Sequence, residues 1–125
     1  TRLHRPEIRD VVEPLAAAGV AARAGVSDLE VGFSARNAAE WDQLSAALTA
    51  FALVETTARH FQRARAVQRL LAAVSQRGRK IPDLLVAAAA EEAGLVVLHY
   101  DADFDLIAAV TGQPCQWVTP PGSVN

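Results

Sequence analysis

Methionine is absent from the chain, and cysteine occurs once, as Cys115. A lone Cys excludes an internal disulfide and a thiolate metal site, and suits a reducing cytoplasm. Only His4, His60 and His99 represent histidine, scattered along the sequence, so the usual structural zinc sites find no ligands. No apolar run approaches the roughly 20 residues that span a bilayer, so no membrane partner is expected. Glycine and proline are modest in number (7 and 6) and no low-complexity tract occurs, which argues for an ordered domain. A glycine-rich phosphate loop is missing, and with it support for nucleotide triphosphate binding. No nucleophile elbow surrounds Ser27, Ser34, Ser45, Ser75 or Ser123, so an acyl-transfer triad has no support either. The lack of any Met leads to the expectation that the chain as written is processed or truncated relative to its translated product.

What is present is 125 residues, 51% of them hydrophobic, enough for one domain spanning residues 1–125 with its own core. Net charge is -2, but its distribution is uneven. Between Thr56 and Pro82 there is no acid, while Arg59, Arg63, Arg65, Arg69, Arg77, Arg79 and Lys80 all fall there. From Asp83 to Asp105 every charged residue is acidic. A basic segment running into an acidic cluster suits a polyanion held beside a bound cation; a solvated helix face followed by a basic loop is the plainer alternative.

In chain order, Arg5 to Ala18 reads as a helix kinked by Pro14 and stopped at Gly19. Val20 to Val26 reads as a short buried strand. Ser27 with Glu30 three residues on matches a capping box for a helix from Asp28 to Ala35. Asn37 suits the N-cap of a helix over Ala38 to Thr49. A short strand at Ala52 to Val54 precedes a long helix capped by Thr56 or Thr57 and running to about Gln76, with Phe61, Val67, Leu70, Leu71 and Val74 toward the core. Gly78 breaks it. Pro82 and Asp83 suit the first turn of the next helix. The run Gly94 to Leu98 reads as a parallel strand, followed by a helix from about Asp101 to Val110, a turn at Thr111 to Pro114 and a last strand at Gln116 to Val118 stopped by Pro120 and Pro121. Strands alternating with helices predict an α/β fold, a three-layer sandwich with a short central parallel sheet flanked by helices. Such folds usually place their first strand centrally, and nothing before Arg5 supplies one, so a core strand is expected upstream of Thr1.

The remaining chemistry lies in oxygen ligands: Glu30, Asp83, Asp101 and Asp103. Carboxylates just past strands, at helix starts, can gather where open α/β sheets hold their ligands. Grouped carboxylates repel unless a cation joins them, and Mg²⁺ or Mn²⁺ takes such donors with substrate phosphate. Each acid also has a purely structural reading. Glu30 suits the capping box, Asp83 a first helical turn, and Asp101 or Asp103 an N-cap. Asp105 reads as a solvated helix acid, and His99 as a packed or hydrogen-bonded side chain. Asp101 after a strand, with Lys80 nearby, also admits a phosphoacceptor domain; acids at helix starts fit that reading poorly.

Three motifs in order narrow these options: Ser27-Asp28-Leu29-Glu30-Val31-Gly32-Phe33-Ser34-Ala35-Arg36-Asn37, Lys80-Ile81-Pro82-Asp83-Leu84-Leu85-Val86-Ala87-Ala88, and Leu98-His99-Tyr100-Asp101-Ala102-Asp103-Phe104-Asp105. Together with Thr111-Gly112-Gln113-Pro114 and the Trp117 tail, they resemble the VapC toxins of the PIN-domain family over nearly the whole chain. The resemblance implies a Mg²⁺- or Mn²⁺-dependent endoribonuclease, usually dimeric, that is neutralised by a VapB-type antitoxin. By matching position, Glu30, Asp83 and Asp101 look like the family acids, with Asp103 a frequent partner. Asp83 and Asp101 would ligate the metal directly or through water, Glu30 would orient or activate the attacking water, and Asp103 would support the shell. Arg36, Arg77, Arg79 and Lys80 are candidate phosphate contacts to RNA. The family's first acid ends a strand in an Asp-Thr-Ser or Asp-Lys-Ser type motif, expected just before Thr1. Without it, the alternative is a catalytically impaired module that binds the antitoxin or RNA without cleaving.

Overall fold

Glycine and proline punctuate the C-terminal helices where their backbone properties require. Pro82 stands in the first turn of a helix over Ile81–Ala93, where its missing N–H has no intrahelical partner to lose. Gly94 ends that helix with φ 69°, a left-handed conformation that costs glycine little. Leu95 N–H then donates to the Ala90 carbonyl at 2.8 Å, closing the end of the helix. These steps belong to a computed structural model that describes Pro14 and residues 21–76, 78–99 and 102–118. The helix read over Arg5 to Ala18, with its stop at Gly19, lies outside the described residues except for Pro14, as does the proline stop after Val118.

In order, the elements are β1 Ala22–Ala24, α1 Gly25–Phe33, α2 Ala38–Leu48, β2 Ala52–Val54, α3 Ala58–Ala73, α4 Ile81–Ala93, β3 Val97–His99, α5 Asp103–Thr111 and β4 Cys115–Trp117. The α/β class read from the alternation is the one observed. Among the described residues the strands form two parallel pairs, β1 with β2 and β3 with β4. The chain divides into two compact units, Thr1–Glu55 and Thr56–Asn125.

In the N-terminal unit, Arg23 fastens β1 to its surroundings. Its Nη1 donates to the carbonyls of Leu48 at 3.2 Å and Phe51 at 3.1 Å, and its Nε to Asp28 Oδ1 at 2.9 Å. The strand stops at Ala24, and α1 starts at once. The capping box expected at Ser27 and Glu30 is therefore not formed: the N-cap is Ala24, Ser27 is already helical, and Asp28 supplies the acid in the first turn. Asn37 does cap α2, its side chain accepting from Glu40 N–H at 2.8 Å. Gly32 lets α1 and α2 approach closely, since a Cβ there would lie 2.7 Å from Trp41 Nε1.

The C-terminal unit holds most of the buried residues. Helix α4 buries Asp83, Leu84, Leu85, Ala87, Ala88 and Ala89 and packs against α3, α5 and β3. The inward stripe of α3 is His60, Ala64, Val67 and Leu71, spaced four, three and four apart, as a helix face requires. Phe61 and Val74, expected on that face, are 54% and 55% exposed. Phe61 lies about 100° around the helix from His60, and Val74 lies beyond the last helical residue, Ala73. His60 takes the core position because both ring nitrogens are engaged: Nδ1 accepts from Thr57 N–H at 3.3 Å and Nε2 meets Glu92 at 3.0 Å. Buried polar atoms need such partners. Strand β3 begins at Val97 because Gly94 and Leu95 are taken by the α4 stop, and α5 begins at Asp103 with Ala102 as its N-cap, so Asp103 is not the cap. The final strand is Cys115–Trp117, one residue earlier than read.

The buried stripe makes a direct prediction. Leu71→Ala, at 2% exposure, is expected to lose about 2–5 kcal/mol in denaturant unfolding, while Val74→Ala changes stability by about 0.5 kcal/mol or less. Equal losses would show that α3 is rotated from this assignment.

Candidate active site

The starts of α4 and α5 carry the described acids Asp83 and Asp103, and an ion pair joins the two ends. Arg79 precedes α4, and its Nη1 donates to Asp103 Oδ1, on the first residue of α5, at 2.7 Å. Both side chains are mostly buried, at 24% and 18% exposure, so water screens the pair less than an exposed one. Lys80 follows as the α4 N-cap, and Asp83 lies in the first turn, only 7% exposed. A carboxylate is well suited to that place, because the unsatisfied N–H groups of a helix start carry partial positive charge.

Behind these acids, β3 and β4 hold an aromatic floor. The buried His99 ring lies 5.2 Å from Phe104 and 4.8 Å from Trp117, centroid to centroid. Parallel pairing in register, His99 against Trp117, sets the second contact. Trp117 Nε1 donates to the Asp105 carboxylate, 3.2 Å from Oδ1 and 3.1 Å from Oδ2. Asp105, read as a solvated acid, is thus a half-exposed anchor for the last strand. Gln113 fastens the α5–β4 turn, its buried Nε2 donating to the Ala87 carbonyl of α4 at 3.0 Å. Sequence reasoning missed both ties, because neither a residue type nor a spacing announces a contact across 12 or 26 positions.

Of the residues singled out for chemistry, the structure brings Arg79 and Asp103 into contact and places Asp83 one turn into the helix that Arg79 leads. Glu30 stands on α1 in the N-terminal unit and is exposed. Arg36 lies before α2, where its Nε donates to Glu40 Oε2 at 2.9 Å; this guanidinium holds the Glu40 carboxyl below its ordinary range. Asp101 and Arg77 lie outside the described residues. Among the described residues no group of three His, Cys, Asp or Glu is gathered in a metal-binding cluster. The candidates that are described, Glu30, Asp83 and Asp103, offer carboxylate oxygens, the donors that hard divalent cations take.

Two of the seven basic residues between Thr56 and Pro82 are drawn into packing instead. Arg63 makes a two-pronged bond to Glu91, at 2.7 and 3.1 Å, and Arg59 pairs with Glu92. These contacts join α3 to α4. The basic segment read from the sequence is thus partly neutralised by the acids of the following helix.

A PIN domain family model matches residues 3–110. The chain is 68% identical over 124 residues to Ribonuclease VapC51 of Mycobacterium tuberculosis, covering 99% of this chain and 90% of that protein. It is 43% identical to Ribonuclease VapC21 of the same species, covering 98% of this chain and 90% of that protein. Among solved structures, DNA-bound VapBC from Salmonella typhimurium superposes with a TM-score of 0.71 at 13% identity, covering 91% of this chain and 86% of that one. VapBC2 from Rickettsia felis, bound to a promoter DNA fragment, gives 0.74 at 14% identity with the same coverage. At those identities the structures establish the fold.

The lone thiol offers a test of the floor. Burial, and secondarily the Asp105 carboxylate, push the Cys115 thiol above its ordinary range. Thiolate is the reactive form, so alkylation by iodoacetamide should accelerate only at higher pH than for an unhindered thiol. Asp105→Asn should shift that profile downward, as read by mass spectrometry. A profile unmoved by Asp105→Asn would remove Asp105 from the surroundings of the thiol.

Proposed function

Because this chain belongs to the PIN-domain family, among its VapC proteins, we propose that it is an endoribonuclease toxin of a toxin–antitoxin pair, cleaving RNA phosphodiester bonds by attack of water. The observation that carries the reading is 68% identity over 99% of the chain to a protein named as a ribonuclease. The VapBC complexes with the same fold support a VapB-type antitoxin as partner. The reading further takes residues 1–125 as one PIN-type domain, acting as a homodimer in the cytoplasm. Among the described residues, no helix is long and apolar enough to cross a membrane.

The proposed metal is Mg²⁺ or Mn²⁺, with Asp83 and Asp101 as ligands and Asp103 supporting them. When bound, such a cation activates water and offsets charge on the phosphodiester oxygens. Asp83 is buried in the first turn of α4, where helix N–H groups favour a carboxylate. Arg79 orients the Asp103 carboxylate through their 2.7 Å bond. In this reading Lys80, Arg79, Arg77 and Arg36 contact phosphate. Glu30, assigned to orient the attacking water, and Asp101 enter on their match to the family motifs alone.

Asp83→Asn keeps the shape and removes the charge. It should abolish cleavage of a structured RNA while leaving antitoxin binding nearly unchanged in a pull-down or calorimetric titration. Chelation by EDTA should stop the wild-type reaction, and added Mg²⁺ or Mn²⁺ should restore it. Full cleavage by Asp83→Asn would exclude Asp83 from the site. A wild-type chain that binds antitoxin but cleaves nothing with either metal would establish the non-cleaving module instead.

A further inference from the structure

An open groove of about 350 Å³ runs between the C-terminal part of α3 and the start of α4. Its walls include Leu71, Ile81 and Leu84, and its polar edges include Gln68, Gln76 and Arg79. Arg79 is also the residue that bonds Asp103, so the groove opens beside the acid-bearing helix starts. Resting on the ribonuclease reading, we propose that this groove is a nucleobase subsite, taking one unpaired base of an RNA strand whose backbone passes the starts of α4 and α5.

Three observations favour a base. Its volume lies in the range of small-ligand sites, and its apolar walls with a few polar edges suit a flat heteroaromatic ring. Gln68 and Gln76 each offer a side-chain donor and an acceptor, the complement needed to read the edge of an unpaired base. The surrounding charge suits the attached backbone: Arg65, Arg69 and Ala72 recur at helical spacing along one side of α3, and both arginines are exposed. Unlike Arg59 and Arg63, Arg65 and Arg69 meet no acid among the described residues. Among the described residues no carboxylate lines the groove. These two cations would contact phosphate and carry no sequence information, whereas the two amides would supply it.

The test measures binding of short fluorescent RNA strands to the full chain in EDTA, where cleavage does not interfere. Strands carrying one abasic nucleotide at successive positions are compared on wild type and on Gln68→Ala/Gln76→Ala. One position is expected to weaken wild-type binding about tenfold when abasic, the size of roughly two lost hydrogen bonds. In the double variant that difference should shrink to about twofold, with the single variants intermediate. Arg65→Ala/Arg69→Ala should weaken all strands alike and flatten the salt dependence. Equal abasic penalties in wild type and the amide variant, or no sensitive position, would overturn the subsite. So would a groove whose amide variant loses antitoxin affinity about tenfold while its RNA pattern stays intact, because the occupant would then be a peptide. Cleavage with Mg²⁺ is scored separately: strands that bind in the groove but are never cut would refute the ribonuclease reading and leave the subsite standing.

Discussion

The C-terminal unit depends on one constraint: α4 is enclosed by α3, α5 and β3, so its inward side chains must be small or apolar. Ala87, Ala88 and Ala89 meet that demand by letting neighbours approach the helix backbone closely, and Leu84 and Leu85 fill the space near its start. Alanine also costs nothing in helix propensity, so local and tertiary preferences agree along this segment. The single buried acid of α4, Asp83, sits in the first turn, where helix N–H groups offset the cost of burying charge. A buried core helix therefore delivers a carboxylate to one edge of the unit in a fixed place.

Charge is divided by position. The acids at the far end of α4, Glu91 and Glu92, are consumed by Arg63, Arg59 and His60 of α3. Such pairs, partly exposed, contribute about 0–1 kcal/mol each and serve alignment more than stability. At the near end, Arg79 bonds Asp103 across 24 positions of sequence. One end of the helix pair is thus tied by structural salt bridges. The other holds the Arg79–Asp103 pair, beside which the proposed chemistry and the base subsite both lie.

Periodicity and punctuation in the chain determined the α/β class, the existence of the described helices, the Asn37 cap, and the first-turn placement of Pro82 and Asp83, because these follow from interactions within a few residues. The three motifs likewise made the family legible before any contact was known. Tertiary structure decided what local rules could not rank. Arg23 tied β1 to the carbonyls of Leu48 and Phe51; Glu92 made His60, and not Phe61, the buried residue of its turn; Trp117 turned Asp105 from a solvent acid into an anchor. In each case the deciding partner lies twelve or more positions away, and a hydrogen bond or ion pair formed only on folding changes which neighbour is best buried.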